Sequence, residues 1–392
     1  MICLVIGASE ESVYAINTAR EMGHYVIAFD GNKEAAGLKY ADESHVVDIR
    51  DAGQIYKKLG GKVPDMILPT PIGRILVVSG EVNDHYGLGG VTSAAADLCT
   101  DKYKFHLRMA GLGMRNAQCL IFKNIAQAEE VRRYPMILKP RFGAGSRDIF
   151  MINSEEELES AAAALGGALE DEDFILESLV SGDEYGIDGA RIDGSTQIIL
   201  LRKKLMTLPP ERQCVGYISV CRDEMGNEEW EKLNKLVDSA LRALGIENSV
   251  FHADILRNED GFFMIEMSAR PSGHNLHNRF TPMAAGIEVI REYINYYEKR
   301  PYCIKPESIK KMMITYFDFE DKLIKNVPAR EYILAKYPVR EWKCLIEKRE
   351  KLGKVPDGHS LMRRGFFIIE AESDDKLMQC RQQILDEFEV ID

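Results

Sequence analysis

At 392 residues the chain has room for two or three domains of about 150 residues each, and its 45% hydrophobic and 29% charged content excludes a disordered, collagen-like or coiled-coil protein. The net charge of −12, from 50 Lys and Arg against 62 Asp and Glu, argues against a general nucleic-acid binder. It leaves a nucleotide open, because a few lysines and backbone amides suffice for phosphate. The eight cysteines form no C-x-x-C pair and have no His-rich run beside them, so no zinc site is expected and a reducing cytosol is. The opening MICLVIGASEES lacks a basic segment, so it does not read as a signal peptide. No apolar run approaches the ~18–20 residues of a membrane span. A cytoplasmic protein with neither nucleic acid nor membrane as partner is expected.

The first hundred residues alternate strand and helix signals: strands at 2–6, 25–29, 45–48 and 66–69, and a helix over 12–23 stopped by Gly23. Such alternation implies a doubly wound parallel sheet. A helix over 100–110 follows, then strands at 135–138 and 149–152 around a glycine-containing loop. Ser154 and Glu157 form a capping box opening a helix to about 169. Strands at 174–176 and 184–192 lead to Asp193-Gly194, a hairpin turn into 197–201. Asn227 is read as the cap of a helix carrying Trp230, Leu233, Val237, Leu241 and Leu244 at helical spacing, a core stripe that ends at Gly245. Strands at 249–257 and 262–268 and a helix over 287–299 complete the middle. Beyond a boundary near 305, strands at 312–317 and 365–371 and a helix over 373–388 read as a small α+β unit.

The hairpin 251–268 carries the strongest chemical signal. A three-residue loop, Glu259-Asp260-Gly261, pairs Asn258 with Phe262 and sets Asp254 opposite Glu266 and His252 opposite Ser268. Ile255 and Ile265, with Ala253 and Met267, form the opposite, apolar face. Two carboxylates side by side are destabilising unless a shared proton, a Lys or Arg, or a divalent cation offsets them. Carboxylate oxygens suit Mg²⁺, which also takes substrate phosphates. A solvated outer face near Arg270 would be the plain alternative. Arg270 shares the parity of Glu266 and Ser268.

Three weaker signals precede it. Lys139 ends an apolar strand and is followed by Gly143, Gly145 and Ser146, a loop whose amides and hydroxyl suit an anion, though not a Walker A loop. Thr100-Asp101-Lys102 reads as Thr100 capping a helix with Lys102 in its first turn, where a cation opposes the helix dipole but would meet an anionic ligand. Glu177-Ser178-Leu179-Val180 runs through a Gly182 turn to Glu184, an edge able to offer backbone groups to a purine and a carboxylate to ribose. Taken singly, each also fits an ordinary surface turn or helix start.

In this order the four elements resemble the ATP-grasp superfamily, and the likeness runs over essentially the whole chain. The resemblance implies an N-terminal α/β parallel-sheet domain at 1–98 and a two-lobed ATP-grasp core at 99–304, with a mobile lobe about 113–180. A small C-terminal α+β segment at 305–392 would follow. It implies Lys102, Lys139, Gly143, Gly145 and Ser146 on phosphates. Glu177 with Ser178, Leu179 and Val180 would hold adenine, and Glu184 ribose. Asp254, Glu266 and Ser268 would hold Mg²⁺, or Mn²⁺ in its place. Arg270, Lys139 and His274 would be catalytic, with His277 near the substrate and Lys203 or Lys204 reaching the nucleotide. The family pattern Glu-x-Asn is here Glu266-Met267-Ser268, which weakens a second metal position.

The run 270–274 and the C-terminal segment look most like L-amino acid ligases and carbamoyl-phosphate-synthetase-like proteins, in a group where homodimers are common. The implied activity is an ADP-forming carboxylate–amine ligase joining a small carboxylate and a small amine through an acyl phosphate. A phosphoribosylamine–glycine ligase-like or carboxylase-like enzyme, or a nucleotide-binding regulator without turnover, are the alternatives. NAD binding is not expected, because Gly7-Ala8-Ser9 lacks the full G-x-G-x-x-G. Asp30 is read as a strand-end residue or a substrate contact, and Cys119 and Cys214 as buried structural thiols.

Overall fold

The computed structural model describes residues 1–114, 116–123, 134–143, 148–207, 213–355 and 357–391. The first strands, β1 (Ile2–Ile6), β2 (Tyr25–Asp30), β3 (Glu43–Val46) and β4 (Met66–Ile67), form a parallel sheet in the order β3-β2-β1-β4. The apolar runs of the central β1 and β2 are buried on both faces, as a sheet covered by helices on each side requires, while the edge strand β3 leaves Val46 exposed. The expected helix over 12–23 is a 3₁₀ turn at Glu10–Ser12 continued by Val13–Glu21. Asp30 accepts from the Ala8 and Asn32 amides, so it braces the loop after β1.

A four-stranded antiparallel sheet, β5-β8-β6-β7, is built from β5 (Cys119–Phe122), β6 (Met136–Pro140), β7 (Phe150–Ile152) and β8 (Phe174–Ser178). Ser154 caps the helix Glu155–Leu165 as read, but Glu157 reaches back to the Asn153 amide and not that of Ser154, so the expected box is half formed, and the helix ends short of 169; Leu158 and Ala161 bury it on Phe122, Leu138 and Leu176.

The largest sheet holds eight strands. It comprises β9 (Asp183–Ile192), β10 (Ser195–Met206), β11 (Cys214–Ser219), β12 (Ser249–Asn258), β13 (Gly261–Ser268), β14 (Met312–Tyr316), β16 (Val339–Cys344) and β18 (Gly365–Glu370). The order is β13-β12-β9-β10-β11-β14-β18-β16. Three short strands, β15 (Lys322–Asn326), β17 (Glu350–Leu352) and β19 (Glu389–Ile391), form a separate small sheet. One face of the β9–β13 part is apolar, with Ile187, Leu201, Ala253, Ile255 and Met267 packed against Leu233, Val237, Leu241 and Leu244 of helix Asn227–Leu244. That helix is preceded by Gly226 as its N-cap, with Asn227 already inside it, and it stops at Gly245 in the left-handed region as read. The opposite face carries the site.

The segment after 305 is not set apart. Gly216, Tyr217 and Ile218 of β11 pair with Thr315, Ile314 and Met313 of β14, so β14, β18 and β16 extend the core sheet. Sequence pattern shows strands but not which distant strand they join. No helix among the described residues is long and apolar enough to cross a membrane.

Candidate active site

The hairpin β12–β13 sets Asp254 opposite Glu266 and His252 opposite Ser268, as read. The loop is different. Asn258 pairs with Gly261 across a two-residue turn, and the extra residue is a bulge at Ile265, between Glu266 and Met264. The expected three-residue loop therefore corrects to a tight turn plus a bulge. The two versions agree beyond the bulge, which is why the carboxylate pairing survives. Glycine is needed at 261, where φ is +109°.

Counting along the ladders places a row of groups on this one face. Gly186 of β9 lies opposite Asp254 and opposite Arg202 of β10, and Asp188 lies opposite His252. A bulge at Ile199 moves β10 by one residue, so Lys204, not Lys203, is on the site face. Lys204 Nζ is 2.7 Å from Asp254 Oδ2 and 3.5 Å from Glu184 Oε2. Burial pulls this ammonium down, but the two carboxylates outweigh burial and hold it well above its ordinary range. Burial likewise pushes the Asp254 carboxyl up, and Lys204 and His252 bring it below the usual carboxylate range. Lys203 instead reaches outward to Asp183. Arg202 is buried, donating to Asp188 Oδ1 at 3.0 Å and leaning over Gly186.

The facing wall comes from the four-stranded sheet and helix Lys102–Gly111. Asp101, not Thr100, caps this helix, accepting from the Tyr103 and Lys104 amides. Thr100 ends the preceding helix, Ser93–Thr100, and donates back to Ala96. A carboxylate able to serve two amides and Arg141 at once is favoured over a hydroxyl at this break. The Arg141 guanidinium grips Asp101 with a fork at 2.9 and 2.6 Å and reaches Asp173 at 2.9 Å. Lys102, the first helical residue, donates to the carbonyls of Pro140 (3.3 Å) and Gly143 (2.9 Å).

Lys139 is buried, and its Nζ is 2.6 Å from Glu177 Oε1. On the other side, His106 Nε2 stands 3.0 Å from Glu177 Oε2, off the line of a good hydrogen bond. Burial pushes the Glu177 carboxyl up, but Lys139 and His106 together hold it down at about 2. The Glu177 carboxylate is engaged with Lys139 at the end of β8, where the edge expected beside adenine begins. Of the neighbouring backbone, the Ser178 amide donates to Gln118 and the Leu179 amide to Pro135; Val180 follows at the strand end. Gly145 and Ser146 lie outside the described residues.

Glu266 sits in the field of three cations, Lys102, Lys139 and Arg270, from two sides of the cleft. Arg270 donates to the Pro271 carbonyl and, among the described residues, has no carboxylate within 4.0 Å. Ser268 is buried beside the Cys99 thiol, which burial pushes up to about 11. His274 holds Tyr316 through its carbonyl (2.6 Å) and packs its ring on Gly358. His277 is buried with Nδ1 2.6 Å from the Ser272 carbonyl, which turns it into the core rather than toward a substrate. Cys119 and Cys214, expected to be buried, are half-buried, and desolvation pushes both thiols up.

Sequence reading missed His106, although it lies four residues after Lys102 and so on the same helix face. It also missed Arg141, Asp188 and Arg202, whose roles depend on partners 14 to 40 positions away.

Residues 132–278 match the family model described as "ATP-grasp domain". A formate-dependent phosphoribosylglycinamide formyltransferase of Methanococcus maripaludis is 29% identical over 184 residues, 44% of this chain and 47% of that protein. The chain thus spans about half the length of that relative. An L-arginine-specific L-amino acid ligase of Bacillus subtilis is 22% identical over 76% of this chain and 70% of its own. Among solved structures, an L-amino acid ligase from Bacillus licheniformis superposes with a TM-score of 0.82 at 16% identity, covering 100% of this chain and 98% of its own. A phosphoribosylglycinamide synthetase from Anaerococcus prevotii gives 0.72 at 19% identity, covering 100% and 99%. These two likenesses are of fold. The chain carries an ATP-grasp domain.

Proposed function

We propose that this chain, with its ATP-grasp domain over 132–278, is an ATP- and Mg²⁺-dependent ligase joining a small carboxylate to a small amine. The carrying observation is Glu266 facing Asp254 across one hairpin, with the charges of Lys102, Lys139 and Arg270 all acting on it while, among the described residues, its ion-pair contact is His252 at 3.9 Å. Two carboxylates ringed by cations suit a polyanion and a divalent ion together. The donor set fits Mg²⁺: Asp254 and Glu266 supply the one or two carboxylates it takes, and Ser268 a hydroxyl. When bound, Mg²⁺ would neutralise charge on the phosphates.

The chain's own groups then divide the work. Lys102 and Lys139 neutralise phosphate oxygens, and Arg270 orients the carboxylate whose oxygen attacks the γ-phosphorus. ADP departs, leaving an acyl phosphate. The amine attacks its carbonyl carbon, phosphate leaves, and the proton of the amine passes to a base, the role read for His274. The lobe about 113–180 closes over the phosphates and keeps water from the acyl phosphate. Glu184 would accept from the ribose hydroxyls, with Lys204 beside it at 3.5 Å. The parallel-sheet domain 1–98 would serve the substrate and the core 99–304 the nucleotide, with 305–392 extending the core sheet, and a homodimer is the expected assembly.

The test is ATP turnover with Mg²⁺ against pooled L-amino acids, resolving ADP from AMP and scanning for a dehydrated conjugate. ADP with a new conjugate supports the reading; AMP sinks it. Binding of Mg·ATP with no substrate-dependent phosphate release would favour a regulator instead.

A further inference from the structure

Lys102 is held by one short stretch of chain. Its Nζ donates to the Pro140 carbonyl at 3.3 Å and to the Gly143 carbonyl at 2.9 Å, and its amide donates to the Arg141 carbonyl at 3.3 Å. The carbonyls of 140, 141 and 143 thus all turn toward one residue. Gly143 closes this arc with φ of +123°, where a side chain would be strained. An ammonium has three donors, so two spent on carbonyls leave one with a fixed direction.

The remaining member of the arc is Phe142, and two guanidinium groups stand over its ring. The Arg74 Cζ lies 4.0 Å from the ring centre and the Arg141 Cζ 5.1 Å. The two cations are not alike. Arg141 is forked onto Asp101 and bonded to Asp173, so its charge is answered with or without the ring. Arg74 has Asp97 at 3.8 Å, but the other oxygen of that carboxylate is 2.5 Å from Lys104. Asp97 is thus spent mainly on Lys104, which leaves the ring as the better partner of Arg74; a cation over a phenyl face is attracted by its quadrupole. Arg74 comes from the N-terminal unit, in the loop after β4. The Leu76 amide donates to the Gly73 carbonyl and the Val77 amide to that of Arg74 itself, which opens helix Leu76–Tyr86 and fixes the base from which the guanidinium reaches.

We propose that Arg74 is a positioning residue for the nucleotide: by seating the Phe142 ring it fixes the carbonyls of Pro140, Arg141 and Gly143, and through them it aims the free donor of Lys102 at a phosphate. This rests on the reading of Lys102 as a phosphate lysine. The gain is preorganisation. A lysine side chain free to turn must be ordered when the nucleotide arrives, whereas one already ordered loses less on binding. Because the effect runs through the Lys102 ammonium, it acts on phosphates and leaves recognition of the base and sugar untouched.

The experiment is calorimetric binding of Mg·ATP and of adenosine to wild type, Arg74→Ala, Arg74→Lys and Phe142→Leu, and to Lys102→Met with and without Arg74→Ala. Thermal unfolding of each unliganded variant reports that the fold is intact. Arg74→Ala and Phe142→Leu should each raise the Kd for Mg·ATP about threefold, the size expected of one cation–ring contact, and leave that for adenosine unchanged. Arg74→Lys, which keeps a cation over the ring, should recover part of the loss. In the Lys102→Met background Arg74→Ala should have no further effect. An unchanged Kd for Mg·ATP in Arg74→Ala, an equal loss for adenosine, or a further loss in the Lys102→Met background would overturn the proposal. Wild-type Mg·ATP affinity in Lys102→Met would instead remove the phosphate role of Lys102, and the proposal with it, so the two failures read differently.

Discussion

Lys204 and Asp254 stand 2.7 Å apart on neighbouring rows of one sheet face, so a fixed ammonium already answers one of the two paired carboxylates. Removing one partner of such a pair leaves the other charge buried and alone. Lys204→Met should therefore destabilise the protein by about 3 kcal/mol in urea unfolding. Lys204→Met with Asp254→Asn should recover much of that. A double variant no more stable than the single one would show that the pair does not act as a unit.

Glu177 gives a pH signature. Its carboxyl falls from an ordinary 4.5 to about 2 in the folded protein, so folding favours the ionised form. The resulting stability, on the order of 3 kcal/mol, is complete above the unfolded value and is lost as pH drops from about 4.5 toward 2. Glu177→Gln should be less stable at neutral pH and should flatten the acid limb of the stability curve over that interval. A wild-type limb unchanged in slope by the substitution would contradict the pairing with Lys139.

Glu266→Ala should lower ADP formation by about 10²–10³-fold, the size seen when one preorganised charge-stabilising group is removed. Circular dichroism should show an unchanged fold, since Glu266 buries little apolar surface. Ser268→Asn should lower the Mg²⁺ concentration needed for half-maximal turnover, because an amide oxygen is the better ligand. Retention of full turnover in Glu266→Ala would remove it from the metal set.

Gly182 joins β8 to β9 where a Cβ would strike the Arg257 carbonyl of the carboxylate hairpin. Backbone cannot give way as a flexible side chain can. Gly182→Ala should cost about 1–3 kcal/mol and raise the KM for ATP, since it forces the purine-side edge away from β12. Wild-type melting and KM together would mean that the strands part at no cost.

The residues that carry charge were legible as types and spacings; the local twists that aim them were not. Asp254 and Glu266 were paired correctly because a loop read one residue too long and a bulge left unread at Ile265 offset each other beyond that point. At β10 nothing offset the unread bulge at Ile199, and counting from Asp193-Gly194 without it sets Lys203 opposite Glu184 in place of Lys204. Bulges answer to packing against distant strands, so a one-dimensional pattern carries little trace of them. The same holds for Asp101, whose choice over Thr100 as cap depends on Arg141, 40 positions away. By contrast, the Ser154 cap and the helix stop at Gly245 depend on neighbours in sequence and were read directly, and the parallel N-terminal sheet follows from the alternation of strand and helix signals.

The ladder that runs unbroken from β13 to β16 has a consequence for inheritance. A gene recombined at the Pro-flanked stretch near 305 would join halves that share hydrogen bonds between β11 and β14. A foreign C-terminal piece would have to match the pleat and register of β11 before the chimera could fold, and a product lacking it would present β11 as a bare strand edge, prone to pairing with other chains. Selection should therefore have handed down the carboxylate hairpin and the C-terminal strands as one heritable block, and shuffling should succeed more readily in the stretch before β5, where among the described residues no strand pairing crosses the cut.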